Sequence, residues 1–144
     1  MANPISYIGC IIAVSISAPA TYDNAGFSAL SYTPIGKIVS WGPIGDTHEN
    51  ISIPLLAGRV EHVNGAADGG ESQFTIRFDT DAGQTILINN SGTNNQLSFK
   101  ITDPDTKVAY HAGIVANVQD MERSNGAYKG ITGVTRINTA TIRP

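Results

Sequence analysis

The chain contains one cysteine, Cys10, among its 144 residues. That excludes an internal disulfide and any metal site built from several thiolates. Cys10 lies in the apolar stretch Tyr7-Ile8-Gly9-Cys10-Ile11-Ile12-Ala13-Val14 and reads as a small buried hydrophobe. Charge is scarce too. Asp, Glu, Lys and Arg make up 15% of the sequence, where an ordinary soluble domain has about 25%. The formal net charge is −3 and no Lys/Arg cluster occurs, so a groove that neutralises several phosphates is not available and nucleic-acid binding is not expected. Long hydrophobic runs are missing: nothing approaches the roughly 20 apolar residues of a membrane-spanning helix. A secretory leader is not expected either. No basic residue precedes the apolar stretch, Pro19 interrupts Ala18-Pro19-Ala20, and Ser15 and Ser17 break the run.

Catalytic signatures are also lacking. There is no G-x-S-x-G elbow and no G-x-x-x-x-G-K phosphate loop. His48, His62 and His111 fall in three separate segments without a partner at metal-ligand spacing, so each is expected to be a solvated or hydrogen-bonded strand histidine. Asp79-x-Asp81 opens like a calcium loop, but Gly83 stands at the third ligand position and Asn90 where a bidentate Glu is required. Helix capping accounts for both aspartates, and turn chemistry accounts for Asp103-x-Asp105. Glu49, Glu61 and Glu71 offer a formal glycosidase pair, yet their polar neighbourhoods suggest no apolar pocket to raise one pKa. Asn50-Ile51-Ser52 and Asn89-Asn90-Ser91 match a glycosylation acceptor pattern that recurs by chance. The expectation is therefore no catalytic, cofactor-binding or metal-binding residue and no cofactor.

What the sequence does contain is alternation. Residues 12–17, 35–41, 58–63, 72–78, 97–102, 108–119 and 131–142 read as strands. Phe74, Ile76 and Phe78 share one face, and the last strand slips by one residue. Residues 21–33 read as an irregular loop, Asn64-Gly65 as a turn pair, and Asp103-Pro104-Asp105-Thr106 as a turn with proline at its second position. The one helix candidate is 79–90. Thr80 or Asp81 supplies its N-cap and Gln84 stands where a capping box would close. Segment 46–56 begins polar and contains Pro54, which excludes a central strand and suggests a long exposed loop or hairpin. The sum is a mainly β chain, a sandwich or barrel of about seven or eight strands flanked by one short α-helix. Residues 1–144 make a single domain with an extended amino-terminal arm over about 1–11 and a long loop or hairpin over about 42–57. Low charge beside a hydrophobic content of 41% fits burial against copies of itself better than a neutral exterior.

Tyr22, Phe27 and Tyr32 could form a carbohydrate platform, but small residues flank Phe27, and anchoring a loop onto the sheet is the better reading. These aromatics belong to a longer pattern: Ala18-Pro19-Ala20-Thr21-Tyr22-Asp23-Asn24-Ala25-Gly26-Phe27, then Leu30-Ser31-Tyr32-Thr33-Pro34-Ile35-Gly36-Lys37-Ile38-Val39. Gly45-Asp46-Thr47, Pro54-Leu55, Ala67-Asp68-Gly69-Gly70, Asp81-Ala82-Gly83-Gln84-Thr85 and Leu97-Ser98-Phe99-Lys100-Ile101-Thr102 follow in order. In these residues the chain resembles the major tail tube proteins of long-tailed, siphovirus-type bacteriophages. It departs from them at Ile86-Leu87-Ile88-Asn89-Asn90, where relatives carry an alanine- or arginine-rich helix end.

The resemblance implies a phage tail tube fold and a structural virion protein without enzymatic activity. Its copies would form hexameric rings whose inward sheets join into a barrel, and the rings would stack into a hollow tail tube through which DNA passes without specific binding. It further implies tape measure, tail terminator and distal tail proteins as partners, no membrane, synthesis in the bacterial host cytoplasm and residence in the virion. Segment 46–56 would reach an adjacent ring, while the arm and the 22–32 loop would seal contacts between neighbours. Alternatives are another virion component, such as a tail terminator or decoration protein, and a β-sandwich carbohydrate-binding module.

Overall fold

A computed structural model describes residues 4–144; the first three residues of the expected arm lie outside the described residues. The chain runs β1 (Ile11–Ser15), α1 (Asn24–Ser28), β2 (Thr33–Pro34), β3 (Ile38–Trp41), β4 (Thr47–Pro54), β5 (Val60–Asp68), β6 (Glu71–Arg77), α2 (Ala82–Asn89), β7 (Leu97–Thr102), β8 (Val108–Asp120) and β9 (Gly130–Ile137). Seven strands form one antiparallel sheet in the order β2-β1-β7-β8-β9-β6-β3, and β4 and β5 pair apart from it. The mainly β architecture read from alternation is present, with nine strands among the described residues.

The sheet closes on itself. Its edge strands β2 and β3 are consecutive in the chain, joined only by Ile35, Gly36 and Lys37. Ile35 N–H donates to the Ile12 carbonyl of β1 (2.8 Å), and the Lys37 carbonyl accepts from Arg77 N–H of β6 (2.9 Å). The joining residues thus bond to both ends of the sheet, which curls into a barrel-like layer with few exposed margins. Lys37 adopts a left-handed conformation there (φ 61°), and this break splits the single strand expected over 35–41.

Strand alternation sends Ile12 and Val14 of β1, Phe74 and Ile76 of β6, Leu97 and Phe99 of β7, and Val115 of β8 into one core, with Leu87 from α2. Trp41 stacks on Phe74 at 5.0 Å between ring centroids and leans on Phe99 at 5.9 Å. On β9, beside buried Gly130, the alternating buried set is Ile131, Gly133, Thr135 and Ile137. Gly133 therefore takes the position left open between it and Val134, and a Cβ there would strike the Phe74 ring. Ile142 lies beyond the strand, in a lone bridge to Tyr110. β9 itself therefore alternates without the slip expected in the last strand, because Ile142 is not part of it. The irregularity lies in its partner β8, where Asn117 turns left-handed (φ 57°) and the register shifts between Ala116 and Gln119.

Helix α2 starts at Asp81, whose Oδ1 accepts from Gly83 N–H (3.2 Å) and whose Oδ2 accepts from Gly36 N–H. Gln84 does not close a capping box. Its Oε1 accepts from Asp79 N–H (3.0 Å), and its Nε2 donates to the carbonyls of Gly36 (2.9 Å) and Arg77 (3.0 Å). The buried amide instead ties the helix start to the β2–β3 connection and the end of β6. Gly83 permits this approach, because a Cβ would collide with the Pro34 carbonyl.

Three further expectations are corrected. The 21–33 loop contains α1, nucleated by Asp23, whose carboxylate accepts from Gly26 N–H (2.8 Å) and the Thr21 hydroxyl (2.8 Å). These two bonds hold its pKa below the usual aspartate value. Asn64-Gly65 is no turn: both residues lie inside β5, and Asn64 faces Asn50. Cys10 is only partly buried, with its thiol directed at Asp103 Oδ1 (3.7 Å). Burial first and the aspartate charge second push its pKa up.

Candidate functional site

The segment expected as a loop or hairpin over about 42–57 enters a longer hairpin. Strand β4 runs outward from Thr47, residues 55–59 make the turn, and β5 returns to Asp68. At the turn Leu55 N–H donates to the Arg59 carbonyl (2.9 Å) and Gly58 N–H to the Leu55 carbonyl (3.0 Å), with Gly58 at φ 93°. Only glycine adopts that conformation without strain. Ile51 pairs with Val63, Ser52 with His62, Ile53 with Glu61, and Pro54 with Val60; a bulge falls between His48 and Asn50.

Cross-strand partners share a face. One face therefore carries Ile51, Ile53 and Val63 together with Glu61, beside Gly65, which leaves room for Ile51. The other carries Asn50, Ser52 and His62, where the ring Nδ1 of His62 lies 3.1 Å from Asn50 Oδ1 and 3.4 Å from Ser52 Oγ. Every residue of β4 is exposed, as is nearly all of β5. Ile51, Ile53, Leu55, Leu56, Val60 and Val63 all face solvent. A two-stranded hairpin without a third strand or a packed face is marginal in water. Six apolar side chains are thus left exposed on this element.

The charge distribution sets the hairpin apart as well. Between residues 46 and 68 stand Asp46, Glu49, Glu61 and Asp68 against Arg59, a net of −3; the whole chain also carries −3, so the remainder is balanced. A second exposed apolar group, Tyr7, Ile8 and Ile11, lies on the amino-terminal segment, where Cys10 N–H donates to the Tyr7 carbonyl (2.9 Å).

The remaining candidates read from the sequence scatter. Glu49 and Glu61 sit on the hairpin, while Glu71 holds Arg136 at 3.0 Å. Asp79 and Asp81 are engaged in turn and capping bonds. Among the described residues no group of three His, Cys, Asp or Glu side chains is placed to hold a metal. The three aromatics do not form a platform. Phe27 is fully buried, stacked on Tyr110 at 5.6 Å; the Tyr32 hydroxyl donates to the Phe27 carbonyl (2.8 Å), and Tyr22 alone is exposed. Burial pushes the Tyr32 hydroxyl pKa up. Phe27 and Tyr32, with Ile142, cover Tyr110 and Ala112 of β8, and Tyr22 leans on Phe27, which is the anchoring role.

His111 overturns its expectation. It is completely enclosed, lies 5.2 Å from Phe99 in a stacked arrangement, and finds no protein partner for either ring nitrogen. Phe99 and His111 face each other across β7 and β8, a pairing invisible from either segment alone.

Sequence reasoning found the start of the return strand in 58–63 but missed its continuation to Asp68, and it missed an open hollow of about 280 Å³ between the β8 and β9 ends. The second half of β5 was obscured by Asn64-Gly65, which elsewhere makes a tight turn.

The chain thus combines a charge-balanced seven-stranded sheet with one unsupported two-stranded hairpin. Comparison with solved structures agrees at the level of fold. The chain is similar to one in an extracellular contractile injection system, the sheath/tube terminator assembly in its extended state, with TM-score 0.67, 9% identity, and 99% of this chain and 98% of that chain covered. It is similar to a chain in the tail of an empty gene transfer agent particle determined with C6 symmetry, with TM-score 0.63, 13% identity, and coverage of 98% and 99%. A chain of the native gene transfer agent virion aligns with TM-score 0.62, 11% identity, and coverage of 78% and 88%. No protein-family model and no curated protein sequence matches the chain.

Proposed function

We propose that the protein is a phage tail tube subunit. Copies associate into hexameric rings, the rings stack, and the resulting hollow tail tube passes DNA into the bacterial host. The observation that carries this reading is the β4–β5 hairpin: a long, exposed, two-sided element whose apolar side chains need cover that the subunit does not supply. Support comes from a fold shared over nearly the whole chain with components of tail and tube particles, one of them six-fold symmetric. The balanced body charge suits a conduit that must not grip a polyanion. The role is structural rather than catalytic, the subunit is a single tail tube domain, and its partners are its own copies with tape measure, tail terminator and distal tail proteins. It is made in the host cytoplasm and resides in the virion.

A second reading, a tail terminator that forms one ring and stops extension, is favoured by the similarity to the sheath/tube terminator structure. Negative-stain imaging of the purified protein separates the two. Long hollow tubes support the tube subunit, single rings support the terminator, and monomers at every concentration refute both. Replacing residues 47–68 by a two-residue turn is expected to leave a folded subunit unable to extend.

A further inference from the structure

The hairpin leaves the main sheet next to Glu71, at the start of β6, and β6 ends at Arg77, which pairs with Gly130. The β8–β9 connection, 121–129, therefore lies at the opposite end of the same strands, about 20 Å away at the usual rise per residue. It frames the hollow of about 280 Å³, whose lining mixes apolar Met121, Ala127 and Tyr128 with polar Asp120, Glu122, Arg123, Ser124 and Lys129. Two of these charges are engaged: Arg123 holds Asp120 at 2.8 Å, and Lys129 sits over the Phe78 ring at 4.2 Å. Glu122 is exposed and has no ion-pair partner among the described residues.

The hairpin tip is the converse. Leu55 and Leu56 are exposed there, Leu56 completely, and Arg59 beside them is the hairpin's one cation. Arg59 also has no ion-pair partner among the described residues. One end of the subunit thus presents an apolar knob with an unpaired cation, and the other a mixed polar and apolar hollow with an unpaired carboxylate.

We infer that the hairpin tip of one copy seats in the 121–129 hollow of a second copy, with Leu56 in the hollow and Arg59 against Glu122. This rests on the hairpin being an assembly element and names its acceptor. The two ends of one chain carry opposite unpaired charges beside complementary shapes, which points to another copy rather than a foreign partner. Knob and hollow lie at opposite ends, so the contact is heterologous and head-to-tail, the kind that extends rather than closing after one pair.

Charge reversal tests it. Arg59→Glu and Glu122→Arg, both at exposed positions, are each expected to keep the subunit's far-ultraviolet spectrum. Each should raise the concentration needed for polymer by about tenfold in sedimentation. The double variant is expected to return toward wild type, and an equimolar mixture of the two single variants should copolymerise. Single variants that polymerise like wild type, or a double variant no better than either, overturn the acceptor. The 47–68 replacement distinguishes the two levels. If it stops extension while the charge variants have no effect, the acceptor is wrong and the tube reading stands; if it extends normally, the hairpin's assembly role fails as well.

Discussion

Acid should loosen this fold through one residue. His111 is enclosed in the core against Phe99 with neither ring nitrogen bonded to protein, and burial lowers its pKa from 6.5 to about 4. The unfolded chain then takes up the proton first, so the neutral ring favours the native state fully above pH 6.5. That contribution is lost as pH falls toward 4. Over the whole window the shift corresponds to about 3 kcal/mol, of which about 2 kcal/mol is gone by pH 5. Urea unfolding of unassembled subunits, followed by Trp41 fluorescence, reads this directly, because Trp41 is the chain's one tryptophan and stacks in the same core. The midpoint is expected to fall by roughly 1 M between pH 8 and pH 5. His111→Leu removes the titration without breaking a protein hydrogen bond, so its profile should be flatter by the same amount. Carboxylates common to both proteins cancel in the comparison. Parallel pH profiles for wild type and variant would refute the reasoning.

Two other outcomes follow from the core. Gln84→Ala removes three partly buried side-chain bonds to the backbone at the start of α2, and should lower urea stability by about 1–3 kcal/mol, while loss below about 0.5 kcal/mol would show the clamp to be idle. Phe27→Ala empties the site stacked on Tyr110 and should cost about 3–5 kcal/mol; amide exchange should quicken around α1, and unchanged exchange there would contradict the anchoring role.

Much of the sheet was legible because its strands obey simple alternation. β6, β7 and β8 lie within a residue of where apolar and polar positions alternate, and the proline turn between β7 and β8 forms as expected, with Thr106 N–H donating to the Asp103 carbonyl (2.9 Å). Asp81 was identifiable as a cap from its place before the helix. Gln84 was not readable as a clamp, since its partners Gly36 and Arg77 come from other segments. The hairpin was half legible: Pro54 and the polar start of β4 signalled exposure, but the pairing of Asn64 with Asn50 required the return strand to be in place. α1 escaped notice because five residues carry too short a period to register.

The sequence by itself determined which residues alternate, where the chain turns, and that charge is scarce and cysteine single. These are local properties, set by side-chain type and backbone sterics over a few residues. Only the tertiary structure decided that β2 and β3 meet through Ile35, Gly36 and Lys37 to close the sheet, that His111 is enclosed while His62 is exposed, and that hairpin and hollow stand at opposite ends of β6. Each depends on strands far apart in the chain being brought side by side, and no short stretch of sequence encodes its own neighbour.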